Sequence, residues 1–169
     1  DHVIFNDGSL KVPAVMFGHG DRFHHTSLDT PDKVDPSELR RICWIALGSV
    51  YYIAQAGPPH MHQMARVVRE NSIERLTSDY HAALEELYEE DTTEGIYNAY
   101  RHAANVLMQS EERESAAVMS SRVFSAEEAD SSLLQKHIRI ISDIADNVKS
   151  DLADRYHQRC RETGSQVQE

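Results

Sequence analysis

Residues 35–59, DPSELRRICWIALGSVYYIAQAGPP, separate two unlike parts of this chain. Asp35, Pro36 and Glu38 are a helix start: an acceptor side chain at the cap, a proline where a backbone N–H would be unpaired anyway, and a glutamate three residues after the cap. The apolar residues that follow predict a helix to about Ala56, where Gly57-Pro58-Pro59 stops it. Its apolar core, Ile42 to Ala54, is interrupted by Gly48, Ser49 and two tyrosines. It is well short of the roughly 18 residues that a membrane span requires.

Downstream of this stretch the apolar residues recur at helical spacing. A second helix is predicted from about His60 to Glu90, with the stripe Ile73, Leu76, Tyr80, Ala83 and Leu87 stepping by three and four. Asp91-Thr92-Thr93-Glu94 marks a turn and a cap, and a third helix follows to about Ser121 with Ile96, Tyr100, Ala103 and Leu107 as its seam. A fourth is predicted from about Ala126 to Thr163, capped by Ser125 with Glu128 three residues on. Leu134, Ile138, Ile141, Ala145, Val148 and Leu152 alternate steps of four and three, a heptad seam too short for an extended coiled coil. An antiparallel hairpin or bundle of long helices is the expected arrangement. Gly164 to Glu169 reads as a frayed tail.

Upstream, the pattern changes. Val3-Ile4-Phe5 and Val12-Pro13-Ala14-Val15-Met16-Phe17 are short apolar runs bounded by Asn6-Asp7-Gly8 and Gly18-His19-Gly20. Such runs between turn signals predict buried strands, as in an α/β sheet covered on both faces. Two strands cannot form a stable sheet alone, so neighbours from elsewhere are required. The expected fold is mostly α: short strands within residues 1–17, then four long helices. The expected division is residues 1–56 and residues 57–169.

The formal net charge is −11, with 17 basic residues scattered among 28 acidic ones. Phosphate neutralisation needs clustered Lys and Arg, so nucleic acid and anionic membrane surfaces are poor partners. Cys43 and Cys160 are far apart, suggest neither a disulfide framework nor a zinc pair, and leave a reducing cytoplasmic setting as the default.

The chemistry concentrates in residues 23–36, FHHTSLDTPDKVDP, directly after the apolar run ending at Phe17. An imidazole is a good zinc ligand, a nearby carboxylate can orient it, and loops at strand ends of open α/β sheets bind ligands. By spacing alone two readings stay open. His24 and His25 are either ligands or polar loop residues before a turn at Asp29-Thr30-Pro31.

Asp1-His2 followed by a strand, then Val-Pro-Ala-Val-Met-Phe, then Arg-Phe-His-His-Thr-Ser-Leu-Asp-Thr-Pro-Asp-Lys-Val-Asp, resembles the C-terminal end of a two-zinc aminopeptidase domain, in the family that includes glutamate carboxypeptidase-like enzymes. The resemblance covers about residues 1–56. Members carry a His-Thr-x-x-Asp-Thr loop whose histidine is the last metal ligand. This implies a ligand role for His25, with Thr26, Asp29 and Thr30 as accompanying motif residues and no ligand role for His24. The family's other ligands and its catalytic glutamate precede this region. The resemblance therefore implies a C-terminal portion of a zinc peptidase that hydrolyses a peptide-type bond, and a 169-residue chain that is inactive alone and holds no zinc stably.

Other candidates are weaker. His60 and His62 lie near a helix start, where side chains two residues apart point about 200° from each other. Met61 and Met64 read as core filler. His81, His102, His137 and His157 are isolated, and the clusters Glu85-Glu86, Glu89-Glu90-Asp91 and Glu111-Glu112-Glu114 read as solvated helix faces. No phosphate-binding glycine loop, Gly-x-Ser-x-Gly elbow or His-Glu-x-x-His helix is present. Beside the peptidase reading stands a helical module, from His60 onward, that packs against a peptidase core or mediates dimerisation. A third reading is an autonomous helical binding protein without metal chemistry. If a sheet is missing, Leu39, Ile42, Trp44, Ile45 and Val50 stay uncovered, and a homo-oligomer is expected.

Overall fold

The computed structural model describes residues 14–18, 20, 22–125 and 127–168. The chain forms two compact units, residues 1–55 and 56–169.

In the first unit, a 3-10 turn at Pro31–Lys33 leads into helix α1, Pro36–Ala54. The start is built as its sequence dictates. The Asp35 carboxylate accepts the backbone N–H of Ser37 at 2.7 Å and of Glu38 at 3.4 Å, and Pro36 occupies the first turn. No residue of α1 is buried. Trp44, Leu47, Val50 and Tyr51 are each more than 60% exposed. The strand expected over Val12 to Phe17 is not found where it can be seen. Ala14 to Phe17 have no regular structure, and Val15 is 84% exposed. A strand needs a neighbour to complete its hydrogen-bond ladder, and no strand occurs among the described residues. The remainder of that expectation, including Val3-Ile4-Phe5, lies outside the described residues.

The second unit is a three-helix bundle of α2 (Pro58–Glu89), α3 (Thr93–Ser120) and α4 (Glu128–Thr163). Short connections make α2 and α3, and α3 and α4, antiparallel. Cross-links between α2 and α4 keep a nearly constant sequence offset, 68 for His62–Asp130 and 71 for Tyr80–Asp151, as parallel neighbours require. The seams mesh as their spacing predicts: Leu76, Ala83 and Leu87 from α2 meet Ile96, Ala103 and Leu107 from α3 and Ala145 and Leu152 from α4. A second apolar cluster, Met61, Ala65, Val118, Leu134 and Ile141, closes the other end.

The helix ends show where local chemistry was misread. α4 begins at Glu128, not Ala126, with Glu127 at the cap. Ser125 serves the turn before it, accepting the Glu127 N–H at 3.2 Å while its hydroxyl donates to Asp130. At the start of α2 the acceptor is a histidine: Gly57 N–H donates to His60 Nδ1 at 3.3 Å. The tail is not frayed over residues 165–168. Gly164 takes φ 70°, the left-handed conformation that glycine adopts without steric cost, and reverses the chain. Gln168 N–H then donates to the Tyr156 hydroxyl at 2.8 Å. Tyr156 is 2% exposed, and a buried phenol needs a partner.

The acidic cluster at Glu111 to Glu114 is not a solvated face throughout. Glu114 is 1% exposed and sits one seam step after Ser110. It accepts from Ser72 Oγ at 2.7 Å, Arg75 Nε at 2.9 Å and Arg113 Nε at 2.9 Å. Glu111 accepts from Ser142 Oγ and Lys149 Nζ, each at 2.6 Å. Glu114 thus trades water for donors on α2 and on its own helix, and the half-buried Glu111 for donors on α4, which is the condition for tolerating a charge there.

Candidate functional site

The loop before α1 is held by its own threonines. Thr26 donates its backbone N–H (3.0 Å) and its hydroxyl (2.6 Å) to the Phe23 carbonyl, and accepts the Leu28 N–H on Oγ1 at 3.2 Å. Asp29 N–H returns to the Thr26 carbonyl at 3.2 Å. The Thr30 hydroxyl lies 2.5 Å from Asp32 Oδ1, and Lys33 pairs with the same carboxylate. Lys33 first, and then Thr30, hold the Asp32 carboxyl below its ordinary value through their hydrogen bonds. Short polar side chains that bond to nearby backbone favour such turns over helix.

Within this turn His25 has φ 61°, and it is the one described non-glycine residue with positive φ. That conformation crowds Cβ against the carbonyl and costs on the order of 1–2 kcal/mol. Its ring lies 3.8 Å from that of His24, centroid to centroid, with the planes tilted by 42°. Both histidines and Asp29 are exposed. An exposed imidazole can supply one donor to a metal. Zinc needs three or four protein ligands, and no group of three or more His, Cys, Asp or Glu side chains converges among the described residues. These residues alone therefore do not fit a zinc site.

A cavity of about 450 Å³ shares Phe23 with the loop. Phe23, Val34, Leu39 and Ile42 give it apolar walls, and Lys33 and Glu38 give it a charged rim.

The other candidate histidines are dispersed. His60 caps α2, whereas His62 Nε2 lies 2.5 Å from Asp130 Oδ1, so the pair does not converge on one point. Met61 is buried in the core. His102 meets Glu86 at 2.9 Å on the surface. His137 Nδ1 lies 3.2 Å from Arg69 NH1, and burial, then Arg69 and His62, lower its pKa. His81 and His157 are exposed. What sequence reading missed is polar rather than catalytic: Ser72, Arg75 and Glu114 occupy or flank seam positions, and heptad spacing from Leu107 is the signal that would have found Glu114.

No protein-family model, curated protein or solved structure matches this chain.

Proposed function

We propose that this chain carries the last-ligand loop of a two-zinc aminopeptidase, with His25 as the ligand and residues outside this stretch supplying the others. The observation that supports this reading is the positive φ of His25, at the position where the His-Thr-x-x-Asp-Thr motif has its metal-binding histidine. A β-carbon in the left-handed region is kept only where surrounding structure or function demands it, and such strain gathers at binding sites. The Thr26 hydrogen bonds fix the turn that presents the ring. Zinc, when bound, would polarise a peptide carbonyl and lower the pKa of a bound water.

The bundle of α2, α3 and α4 is a packing or dimerisation module in this reading. Self-association belongs to it through α1, whose exposed Leu39, Trp44, Ile45, Val50 and Ile53 offer a second copy an apolar surface.

The test is zinc content and hydrolysis of aminoacyl anilides in the protein expressed from its complete coding sequence. The expected result is bound zinc, chelator-sensitive hydrolysis, and loss of both in His25→Ala. The 169-residue chain alone is expected to be inactive. Chelator-sensitive hydrolysis by that chain alone, or zinc-free hydrolysis by the complete protein, overturns the reading. The alternative, an autonomous helical binding module, is favoured by the self-contained core of the second unit. It predicts that His25→Ala changes nothing measurable.

A further inference from the structure

The first turns of α3 and the last turns of α4 bring three tyrosines together. Tyr100 and Tyr156 stack with centroids 4.3 Å apart and planes within 11°. Tyr97, one turn earlier on α3, carries the Arg101 guanidinium 5.7 Å from its ring centroid. Beside them is a cavity of about 380 Å³, lined by Tyr97, Tyr100, Arg101, Tyr156, His157 and the returning tail. This volume lies in the range of small-molecule sites, which combine apolar or aromatic walls with a few polar groups that set orientation.

The tail borders this cavity without filling it. Gln168 is fixed through its backbone, its N–H donating to the Tyr156 hydroxyl and its carbonyl accepting from it at 3.2 Å. The side chain of Val167 nevertheless stays 51% exposed. Among the described residues the contact of the Arg101 guanidinium is with the Tyr97 ring. It places a guanidinium beside aromatic faces at the wall of the cavity.

We propose that this cavity binds an aromatic carboxylate: a planar ring against the faces of Tyr97 and Tyr100, with its carboxylate taken by Arg101 and the His157 ring. The ring faces attract a planar partner through offset stacking. The guanidinium suits a carboxylate because its paired N–H groups match the two oxygens. The same chemistry is offered by a free aromatic amino acid derivative and by the C-terminal residue of a peptide. The site lies in the second unit and does not depend on the zinc reading of His25.

The experiment uses the 169-residue chain and NMR titration with N-acetylphenylalanine, its uncharged amide, and a short peptide ending in phenylalanine. The carboxylates are expected to saturate with a Kd on the order of 1 mM or below. The amide should bind about tenfold more weakly, as loss of a charge-assisted hydrogen bond implies. Amide shifts should map to Tyr97, Tyr100 and His157. Arg101→Ala, an exposed substitution, should remove the preference for acid over amide while leaving the helical circular dichroism unchanged. Tyr97→Ala should weaken acid and amide alike. Tighter binding of the peptide identifies a chain terminus as the ligand, and equal binding a free amino acid. No saturation at about ten times the expected Kd, equal binding of acid and amide, or shifts that map elsewhere overturns the proposal.

Discussion

Arg75 on α2 grips Glu114 on α3 with both arms of its guanidinium, Nε to Oε1 at 2.9 Å and NH2 to Oε2 at 2.5 Å. The carboxylate is buried, whereas the arginine side chain is about half exposed. This asymmetry decides what each truncation does. Glu114→Ala removes a charge whose partners can turn to water, but it also leaves Ser72 and a vacated volume inside the bundle. The expected cost is about 2–4 kcal/mol, read as a lowered denaturation midpoint with unchanged slope. Arg75→Ala should cost less, because Ser72 and Arg113 still satisfy the carboxylate. A Glu114→Ala variant as stable as the parent would show that this network contributes nothing.

Acid should weaken the bundle in two steps. Burial pushes the Glu114 carboxyl up, but its bonds to Arg75, Ser72 and Arg113 outweigh burial and bring it down to about 2 from an ordinary 4.5. A depressed carboxyl stabilises the fold above its unfolded pKa, and that stability is lost as pH falls from 4.5 through about 2. His137 acts at milder pH. Burial first, then the Arg69 and His62 charges, lower its pKa from 6.5, so stability begins to fall as pH drops below that value. Thermal melts across this range should show both steps. His137→Gln should remove only the upper one, and Glu114→Gln should shrink the lower, to which Asp130 and Asp151, also held below their ordinary values by hydrogen bonds, contribute the rest. A profile untouched by either substitution contradicts these assignments.

At the alkaline end Tyr80 is the sensitive group. Burial, then its hydrogen bond to Asp151, raises the phenol from 10.0 to about 12. A raised tyrosine keeps its full contribution below pH 10, and loses it as pH climbs through about 12. Ultraviolet titration should reveal a phenol ionising near pH 12 that is lost in Tyr80→Phe, while Tyr156, also raised by burial, stays. If Tyr80→Phe leaves the titration curve unchanged, the assignment is wrong.

Self-association through α1 should be visible in the chain's single tryptophan. Trp44 is 72% exposed on α1. Raising the concentration to tens of micromolar should shift its emission to shorter wavelength as mass in light scattering rises from monomer to dimer or higher oligomer. Trp44→Glu and Val50→Glu together should return the monomer. A monomeric mass at that concentration, with constant emission, removes self-association from the proposed function.

Much of the second unit was legible before any coordinates, because burial on a helix follows a period that the sequence must carry. Leu134, Ile141, Ala145 and Leu152 fall in the core at the spacing that predicts them. What spacing misassigned were residues whose burial depends on partners in other helices. Glu114 reads as surface because its charge is costly to bury, and only Arg75, Ser72 and Arg113 arriving from around it reverse that cost. The frayed reading of the tail failed likewise, since the Tyr156 hydroxyl that anchors Gln168 is brought into place by bundle packing.

By itself, the amino-acid sequence determined the caps at Asp35 and Thr92, the helix-ending glycines and prolines, the three apolar seams and the chemical identity of the His25 loop. Those features are local, set by side chains within about one helical turn of the backbone they satisfy. Tertiary structure alone decided that α2 and α4 run parallel in register, that a carboxylate lies in the core, and that three tyrosines and Arg101 surround one cavity. Those outcomes join residues some forty to seventy positions apart, and their free energy exists only once the helices have packed.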